Sequence, residues 1–264
     1  MLKTRILTAV VLLPVVAAFA WLGHPWLTLL LAAALGGGGY EFGRLGLRDG
    51  HQVWPVLCGA SPVLLALDAG FANGQYRGLL VALTLIGWAV WYVLHARSAT
   101  RTEAFAISAL ASLYVGFLGA HLVALRQLGQ GLSWLALAVV TVWISDSGAF
   151  FAGQAVGRHH LAPHLSPKKT WEGAVGGLIT GVLGGMAVAA VGGLPLEHGA
   201  AVGLLVGVVC PFGDLIISML KRQAQVKDSG ALFPGHGGLL DRLDTLFFVA
   251  PLAYYYATLV AGAV

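Results

Sequence analysis

Four aspartates of this 264-residue chain lie inside or beside long apolar stretches, where an ionisable side chain is costly and usually serves a partner or a wet cavity. Asp146 stands in Trp-Ile-Ser-Asp-Ser-Gly, Asp214 follows Pro-Phe-Gly, and Asp241 and Asp244 are three residues apart, sharing a face if a helix has begun by then. Carboxylate oxygens are the ligands that Mg²⁺ prefers, and a bound Mg²⁺ usually also bridges to substrate phosphates. The four carboxylates therefore indicate a candidate site for a metal ion and a phosphate-bearing substrate.

Cations and a hydroxyl accompany one of these aspartates at helical spacing. Asp214, Ser218 and Lys221 are spaced i, i+4, i+7, so on a helix they share one face, and Arg222 stands beside them. A polar stripe on an otherwise apolar helix is expected to point into the protein.

A second basic segment reads Ser-Pro-Lys-Lys-Thr-Trp-Glu-Gly, from Ser166 to Gly173. Serine followed by proline suits the start of a helix, and Lys168 and Lys169 would then lie where a helix N-terminus favours anions such as phosphate. The same lysine pair also fits a topology signal or a contact with lipid headgroups. The glycines around His236 either form a plain turn or let backbone N–H groups close on phosphate oxygens.

Buried ion pairs are the alternative interpretation of the aspartates, with Arg222, Lys227 and Arg242 as the partners. Carboxylates gathered at one depth repel each other unless cations join them. The two long polar connections supply such cations, namely Arg158, Lys168, Lys169, Lys221, Arg222, Lys227 and Arg242. This concentration favours a phosphate-handling site, and ion pairing within it is compatible with that function.

The composition indicates which elements position these residues. Hydrophobic residues make up 58% of the chain and charged residues 10%, against roughly 25% charged in an average soluble domain. So few charges cannot cover a soluble surface, which excludes soluble, disordered and fibrous proteins. The 37 glycines and 8 tryptophans suit closely packed membrane helices with indoles at the interfaces.

The predicted fold class is all-α: a polytopic integral membrane protein with about nine transmembrane helices of about 20 residues each. The second span is interrupted by Gly36 to Gly39, which weakens its prediction. Cys58 and Cys210 lie in apolar runs without metal-ligand spacing and are interpreted as small buried hydrophobes. The spans fall near 6–22, 26–42, 53–70, 79–96, 104–125, 133–153, 173–193, 199–219 and 245–263.

The distribution of charge predicts the orientation in the membrane. With nine crossings, all of the 15 lysines and arginines except Arg77 and Arg126 fall on one side, which the positive-inside rule makes the cytoplasm. The N-terminus and the polar connections 154–172 and 220–244 are then cytoplasmic. We expect residues 1–130 to be transmembrane scaffold helices and residues 131–264 to be the catalytic transmembrane region.

The segment from Ser218 to Asp244 reads Ser-Met-Leu-Lys-Arg, four residues, Lys-Asp-Ser-Gly, then Leu-Phe-Pro-Gly-His-Gly-Gly-Leu, one residue, and Asp-Arg-Leu-Asp. This pattern resembles the signature of the phosphatidate cytidylyltransferase (CDP-diacylglycerol synthase) family. The segment 166–173 and the Ser-Asp-Ser around Asp146 are similar to that family as well. The family often has a basic run after Gly157 where this chain has Arg-His-His, so the role of that connection stays open.

The resemblance implies transfer of CMP from CTP to phosphatidate, giving CDP-diacylglycerol and pyrophosphate, with Mg²⁺ required. It implies Asp214 and Asp241 as metal ligands, with Asp146 and Asp244 supporting them or holding a second ion, divalent or K⁺. Lys221 and Arg222 are the expected catalytic cations. The remaining candidates for binding CTP and phosphatidate are Lys168, Lys169, Lys227, Arg242, Ser218 and His236, the last of which either bonds a phosphate or orders its turn.

The expected partners are CTP, the phosphatidate lipid and the bilayer, with no nucleic acid. Small-xxx-small patterns allow a homodimer. The expected location is the bacterial inner membrane, with the active site on the cytoplasmic side and lipid entering laterally between spans.

Three other functions compete with this one. A CTP-dependent lipid-alcohol kinase would release CDP and need a base for its hydroxyl nucleophile. CDP-alcohol phosphotransferases are disfavoured because their motif spacing is missing. An ion-coupled transporter predicts carboxylates near the midplane and an inverted repeat, which this sequence does not show.

Overall fold

The computed structural model describes residues 2–95, 101–232 and 237–263. Within these ranges the chain is helical apart from loops and one small hairpin. The elements are α1 (Leu2–Leu22), α2 (Trp26–Arg48), α3 (Pro55–Phe71), α4 (Arg77–His95), α5 (Arg101–Leu110), a π-helical segment (Ala111–Phe117), α6 (Leu118–Gln127), α7 (Gly131–Val156), β1 (His160–Ala162), β2 (Ser166–Thr170), α8 (Trp171–Gly192), α9 (Leu196–Gln223), α10 (Leu240–Leu243) and α11 (Leu246–Leu259).

Among the described residues, five helical stretches are long and apolar enough to cross a membrane: α4, the continuous run Arg101–Gln127, α7, α8 and α9. The predicted all-α class is therefore confirmed, and the chain is a multi-pass integral membrane protein. Each of the nine predicted spans overlaps a helix, but the count of nine crossings and the cytoplasmic N-terminus stay predictions.

The chain divides into two compact units. The first contains Met1–Gln127 and Leu220–Leu243, and the second contains Leu128–Met219 and Asp244–Val264. The predicted boundary at residue 130 lies close to the first of these divisions, whereas the segment from Leu220 groups with the N-terminal helices.

In the first unit, α2 and α3 pack through glycines. A Cβ atom at Gly39 would meet the carbonyl oxygen of Cys58, and one at Gly43 would lie 2.8 Å from the Cα of Pro55. The glycine run therefore does not interrupt α2. It allows the backbones of α2 and α3 to approach closely, as small residues do in membrane helix pairs.

In the second unit, α8 packs through glycines against both α7 and α9. A Cβ atom at Gly177 would lie 3.0 Å from the carbonyl oxygen of Ser145 on α7, and one at Gly185 would meet the carbonyl oxygen of Gly199 on α9. The Ser145 hydroxyl also donates to the carbonyl of Gly177 over 3.0 Å. These contacts fix the helix that carries Asp146 against its neighbour.

A β-hairpin connects α7 to α8, and it corrects one prediction. β1 and β2 are antiparallel, with His160 opposite Thr170 and Ala162 opposite Ser166. The helix predicted to begin at Ser166 begins at Trp171, because Thr170 is the N-cap and its Oγ1 accepts from the N–H of Gly173 over 3.1 Å. Ser166 to Thr170 are extended instead, which removes the helix N-terminus expected beneath the two lysines.

Candidate active site

Lys169 and Asp214 form an ion pair in the second unit. The Nζ of Lys169 lies 2.8 Å from Asp214 Oδ2 and also donates to the carbonyl of Pro211 over 3.1 Å. The side chains are 25% and 38% exposed, so both remain accessible. β2 thereby places a cation directly on a carboxylate of α9, 45 residues further along the chain.

The two lysines of β2 are not equivalent. Successive residues of a strand point to opposite faces, and Lys168 is exposed whereas Lys169 is partly buried. The sequence predicts one pair, either binding phosphate or serving as a topology signal or headgroup contact. The structure directs Lys169 to the carboxylate and leaves Lys168 facing outward.

Glu172 anchors the hairpin that carries these lysines. Its Oε2 accepts from the backbone N–H groups of Arg158 and His159 over 3.1 and 3.2 Å. The Nδ1 of His159 donates to Glu172 Oε1 over 2.6 Å. The Arg-His-His segment, whose role the sequence left open, is thus tied to the first turn of α8.

Asp146 lies beside the same ion pair. The Cys210 thiol donates to Asp146 Oδ1 over 3.2 Å, and Lys169 and Asp214 are both close enough to interact with Asp146 electrostatically. Asp146 itself is exposed. Cys210 is buried as predicted, but its hydrogen bond to a candidate metal ligand is something that the apolar run around it did not indicate.

Ser218 and Asp244 complete the group of residues in the second unit. The Ser218 hydroxyl donates to Asp214 Oδ1 over 3.4 Å, which confirms the predicted i, i+4 relation. A Cβ atom at Gly213 would lie 3.1 Å from the carbonyl oxygen of Asp244, so the backbone of Asp244 passes directly beside α9 next to Asp214. Asp244 Oδ1 accepts from the N–H of Thr245 over 2.8 Å.

The first unit holds a second ion pair, between Lys221 and Asp241. The Nζ of Lys221 lies 2.6 Å from Asp241 Oδ1, and the side chains are 15% and 6% exposed. Asp241 Oδ2 accepts from the N–H and hydroxyl of Ser229, both over 2.9 Å, and from the N–H of Gly238 over 3.1 Å. Burial alone would raise the pKa of Asp241, but the hydrogen bond from Lys221 and those from the two backbone N–H groups lower it below the ordinary value.

Asp241 and Asp244 are expected to share a face only if one helix carries both, and that condition is not met. α10 ends at Leu243 and α11 begins at Leu246, so Asp244 lies between two helices. The alternative of ion pairing is correct only in that Asp214 and Asp241 each pair with a cation. The partners are Lys169 and Lys221, whereas the prediction named Arg222, Lys227 and Arg242.

Glu41 is a site residue that the sequence reasoning missed. Its carboxylate is buried and accepts from the Ser229 hydroxyl over 2.8 Å and from the N–H of Leu240 over 2.9 Å. The sequence does show a carboxylate at the end of the apolar run 26–42, which could have indicated a polar partner. That run was instead assigned to the scaffold helices.

The other predicted residues are more exposed or lie outside the described residues. Arg222, Lys227 and Arg242 are exposed. His236 falls in the stretch 233–236, which is outside the described residues, so its two predicted roles both stay open.

The carboxylates fit Mg²⁺ chemically, although no three His, Cys, Asp or Glu side chains form a ready metal cluster among the described residues. Asp146 and Asp214 are accessible carboxylates, and each carboxylate oxygen has about two lone-pair sites. The hydrogen bonds from Cys210 and Lys169 therefore leave acceptor sites for a metal ion. Asp241 Oδ1 likewise accepts from Lys221 and keeps a lone pair.

The Lys221–Asp241 pair gives a first testable prediction. We expect Lys221→Met to destabilise the protein by about 3 kcal/mol, because it leaves a buried carboxylate without its cation. Lys221→Met combined with Asp241→Asn should be more stable than Lys221→Met alone. Since the pKa of Asp241 is lowered in the fold, the pair stabilises the protein above about pH 4 and this contribution is lost as the pH falls below that value.

Thermal unfolding of the detergent-purified variants between pH 3 and pH 8 measures both effects. Arg222→Met is the matched control, because Arg222 is the next residue and is exposed. A double variant as unstable as the Lys221→Met single variant, or a gap to wild type that widens in acid, would contradict the assignment.

Taken together, the apolar helices and the lysine–carboxylate pairs define an integral membrane protein with charged clusters suited to binding anionic phosphates. The chain belongs to the cytidylyltransferase family, whose sequence profile matches residues 3–260. It is therefore a nucleotidyltransferase, and the family resemblance of residues 218–244 is confirmed.

Curated relatives carry one name. The chain is 35% identical over 269 residues to the phosphatidate cytidylyltransferase of Brucella suis, covering 98% of this chain and 94% of the relative. It is 34% identical over 279 residues to the protein of that name from Pseudomonas aeruginosa, covering 96% and 95%. The protein of that name from Bacillus subtilis is 39% identical over 153 residues, covering 57% of each chain.

Proposed function

We propose that this protein transfers CMP from CTP to phosphatidate, giving CDP-diacylglycerol and pyrophosphate. The observation that carries the proposal is the similarity, over nearly the whole chain, to relatives named phosphatidate cytidylyltransferase. The lysine–carboxylate pairs support it, because two polyanions must be brought together and their charge neutralised.

The reaction joins two phosphates. A phosphate oxygen of phosphatidate attacks the α-phosphorus of CTP, the bond from that phosphorus to the oxygen bridging toward the β-phosphate breaks, and pyrophosphate leaves. Phosphatidate is already anionic near neutral pH, so a strong general base is not needed. Catalysis therefore consists of positioning and electrostatic stabilisation.

The chain's own cations supply that stabilisation in this proposal. Lys169 and Lys221 are each held in place by a carboxylate, which orders the ammonium groups before a substrate arrives. The exposed Lys168, Arg222, Lys227 and Arg242 are proposed to attract the phosphates of CTP and phosphatidate. Ser218 is proposed to contribute through its hydroxyl.

Mg²⁺ is part of the proposal. Asp214 and Asp241 are proposed as its ligands, and Asp146 and Asp244 as supporting residues or ligands of a second ion. When bound, Mg²⁺ would neutralise the charge that develops on the leaving pyrophosphate. The Cys210 hydrogen bond holds one oxygen of Asp146, and the close approach at Gly213 brings the backbone of Asp244 beside Asp214.

The site is proposed to lie at the cytoplasmic face of the bacterial inner membrane, as the charge distribution indicates. CTP is then reached from the cytoplasm. Phosphatidate would enter laterally, with its headgroup at the interface and its acyl chains in the hydrocarbon.

Purified protein with CTP labelled at the α-phosphate tests the function. We expect label to enter the lipid, with one pyrophosphate released per CDP-lipid, only when phosphatidate and Mg²⁺ are both present. Diacylglycerol, which lacks the phosphate nucleophile, is the matched control substrate. Release of CDP with a lipid alcohol as acceptor would instead identify a kinase, and no turnover with either lipid would overturn the proposal.

A further inference from the structure

Glu41, near the end of α2, is a buried carboxylate in the first unit. It is 7% exposed. A carboxylate removed from water is strongly disfavoured unless its oxygens accept hydrogen bonds. The hydrogen-bond partners of Glu41 therefore indicate its structural role.

The hydrogen bonds that Glu41 accepts come from Ser229, Leu239 and Leu240. The Ser229 hydroxyl donates to Oε2 over 2.8 Å, the N–H of Leu240 donates to Oε2 over 2.9 Å, and the N–H of Leu239 donates to Oε1 over 3.1 Å. These donors all precede Asp241 in sequence, Leu239 and Leu240 immediately so. Glu41 thus binds, from 198 and 199 residues away in sequence, the two backbone N–H groups that directly precede Asp241.

Gly230 and Gly238 lie against the Glu41 carboxylate. A Cβ atom at Gly230 or at Gly238 would collide with the carboxylate oxygens of Glu41. Because three hydrogen bonds hold that carboxylate, it cannot yield to a larger residue. The glycines at these two positions are therefore explained by Glu41.

Ser229 connects Glu41 to Asp241. Its Oγ lies 2.8 Å from Glu41 Oε2 and 2.9 Å from Asp241 Oδ2, so the hydroxyl stands within hydrogen-bond distance of both carboxylates. The N–H of Ser229 also donates to Asp241 Oδ2 over 2.9 Å. The position of Ser229 depends on Glu41, and so do the hydrogen bonds that Ser229 donates to Asp241 Oδ2.

We propose that Glu41 is a positioning residue that holds Ser229, Leu239 and Leu240 so that Asp241 stays aligned with Lys221 for CMP transfer. This inference rests on the proposed function. Glu41 makes no contact with substrate in this proposal. It lies on α2, which was predicted to be a scaffold helix, but it supports the position of Asp241.

The test compares Glu41→Gln with Asp68→Asn, which removes the charge of another buried carboxylate in the first unit. Asp68 accepts from the N–H of Tyr76 over 2.9 Å. We expect Glu41→Gln to lower kcat by about 10–100-fold, as loss of a residue supporting a metal ligand does, with KM for CTP changed little. The amide of Gln cannot accept from all three donors. Asp68→Asn should retain wild-type kcat.

Hydrogen exchange followed by mass spectrometry gives a readout independent of activity. Peptides covering Leu239 and Leu240 should exchange faster in Glu41→Gln than in wild type and be unchanged in Asp68→Asn. Ser229→Ala should act in the same direction. Combined with Glu41→Gln it should add little, because both changes break one network.

Wild-type exchange at residues 239–240 together with wild-type kcat in Glu41→Gln would overturn the inference, as would an equal loss of kcat in Asp68→Asn. If Glu41→Gln does not yield a folded protein, Ser229→Ala alone decides, with about a tenfold loss of kcat expected and an unchanged kcat contradicting the inference. Failure of the proposed function would show differently, as an inactive wild type.

Discussion

Replacing Asp214 with asparagine should lower kcat for CMP transfer by about 10²–10³-fold, the loss typical of removing one preorganised electrostatic group from an active site. The change removes the charge that holds Lys169 at 2.8 Å and one of the two proposed principal Mg²⁺ ligands. Steady-state turnover of labelled CTP over a range of Mg²⁺ concentrations measures the effect.

Glu197→Gln is the matched control for Asp214→Asn. Glu197 lies on the same helix, in its first turn, and is exposed. This variant should keep wild-type turnover. Near-normal, Mg²⁺-dependent turnover in Asp214→Asn would remove Asp214 from the proposed metal site and leave it as a structural partner of Lys169.

Lys169→Glu should have the other large effect, a loss of about 10³-fold in kcat/KM for CTP. It deletes a cation proposed to face phosphate and places a second carboxylate against Asp214, where like charges repel. Initial rates at varied CTP and phosphatidate concentrations separate a defect in kcat from one in KM.

Lys168→Glu provides the comparison, because it makes the same charge change one residue away on the other face of β2. Its loss should be within about tenfold and confined to KM, as for an exposed cation that attracts substrate. Equal losses in the two variants would show that the face of β2 is irrelevant. Unchanged kinetics in both would leave these lysines as topology signals.

The helices themselves could be predicted, because long apolar runs need no tertiary information to be recognised. The glycine run of α2 was harder to interpret. From sequence alone, Gly36 to Gly39 suggest a weak helix, since glycine disfavours one. Their role is visible only when α3 is seen packed against them.

Contacts within one helix were also predictable, and contacts across the fold were not. The bond from Ser218 to Asp214 follows from helical spacing. The ion pair of Lys169 with Asp214 depends on a hairpin that the sequence concealed, because Ser-Pro before the lysines is as typical of a helix start as Thr170 is.

Glu41 shows a different limit of sequence reasoning. A single carboxylate at the end of an apolar run indicates a polar partner without naming it. Its partners are mostly backbone N–H groups. Because every residue except proline has a backbone N–H, the residue types in the sequence could not identify which groups bond to Glu41.

The order of the two units along the chain also limits how the protein can be divided into fragments. Leu220–Leu243 belongs to the first unit although the residues on both sides of it belong to the second, so no single cut yields two intact modules. A fragment beginning at residue 131 would encode Lys221 and Asp241 but lack Glu41, which accepts hydrogen bonds from the Ser229 hydroxyl and the N–H groups of Leu239 and Leu240. Expression of the C-terminal half alone would therefore separate the signature segment from part of its support, and reconstituting activity from fragments would require the N-terminal helices as well.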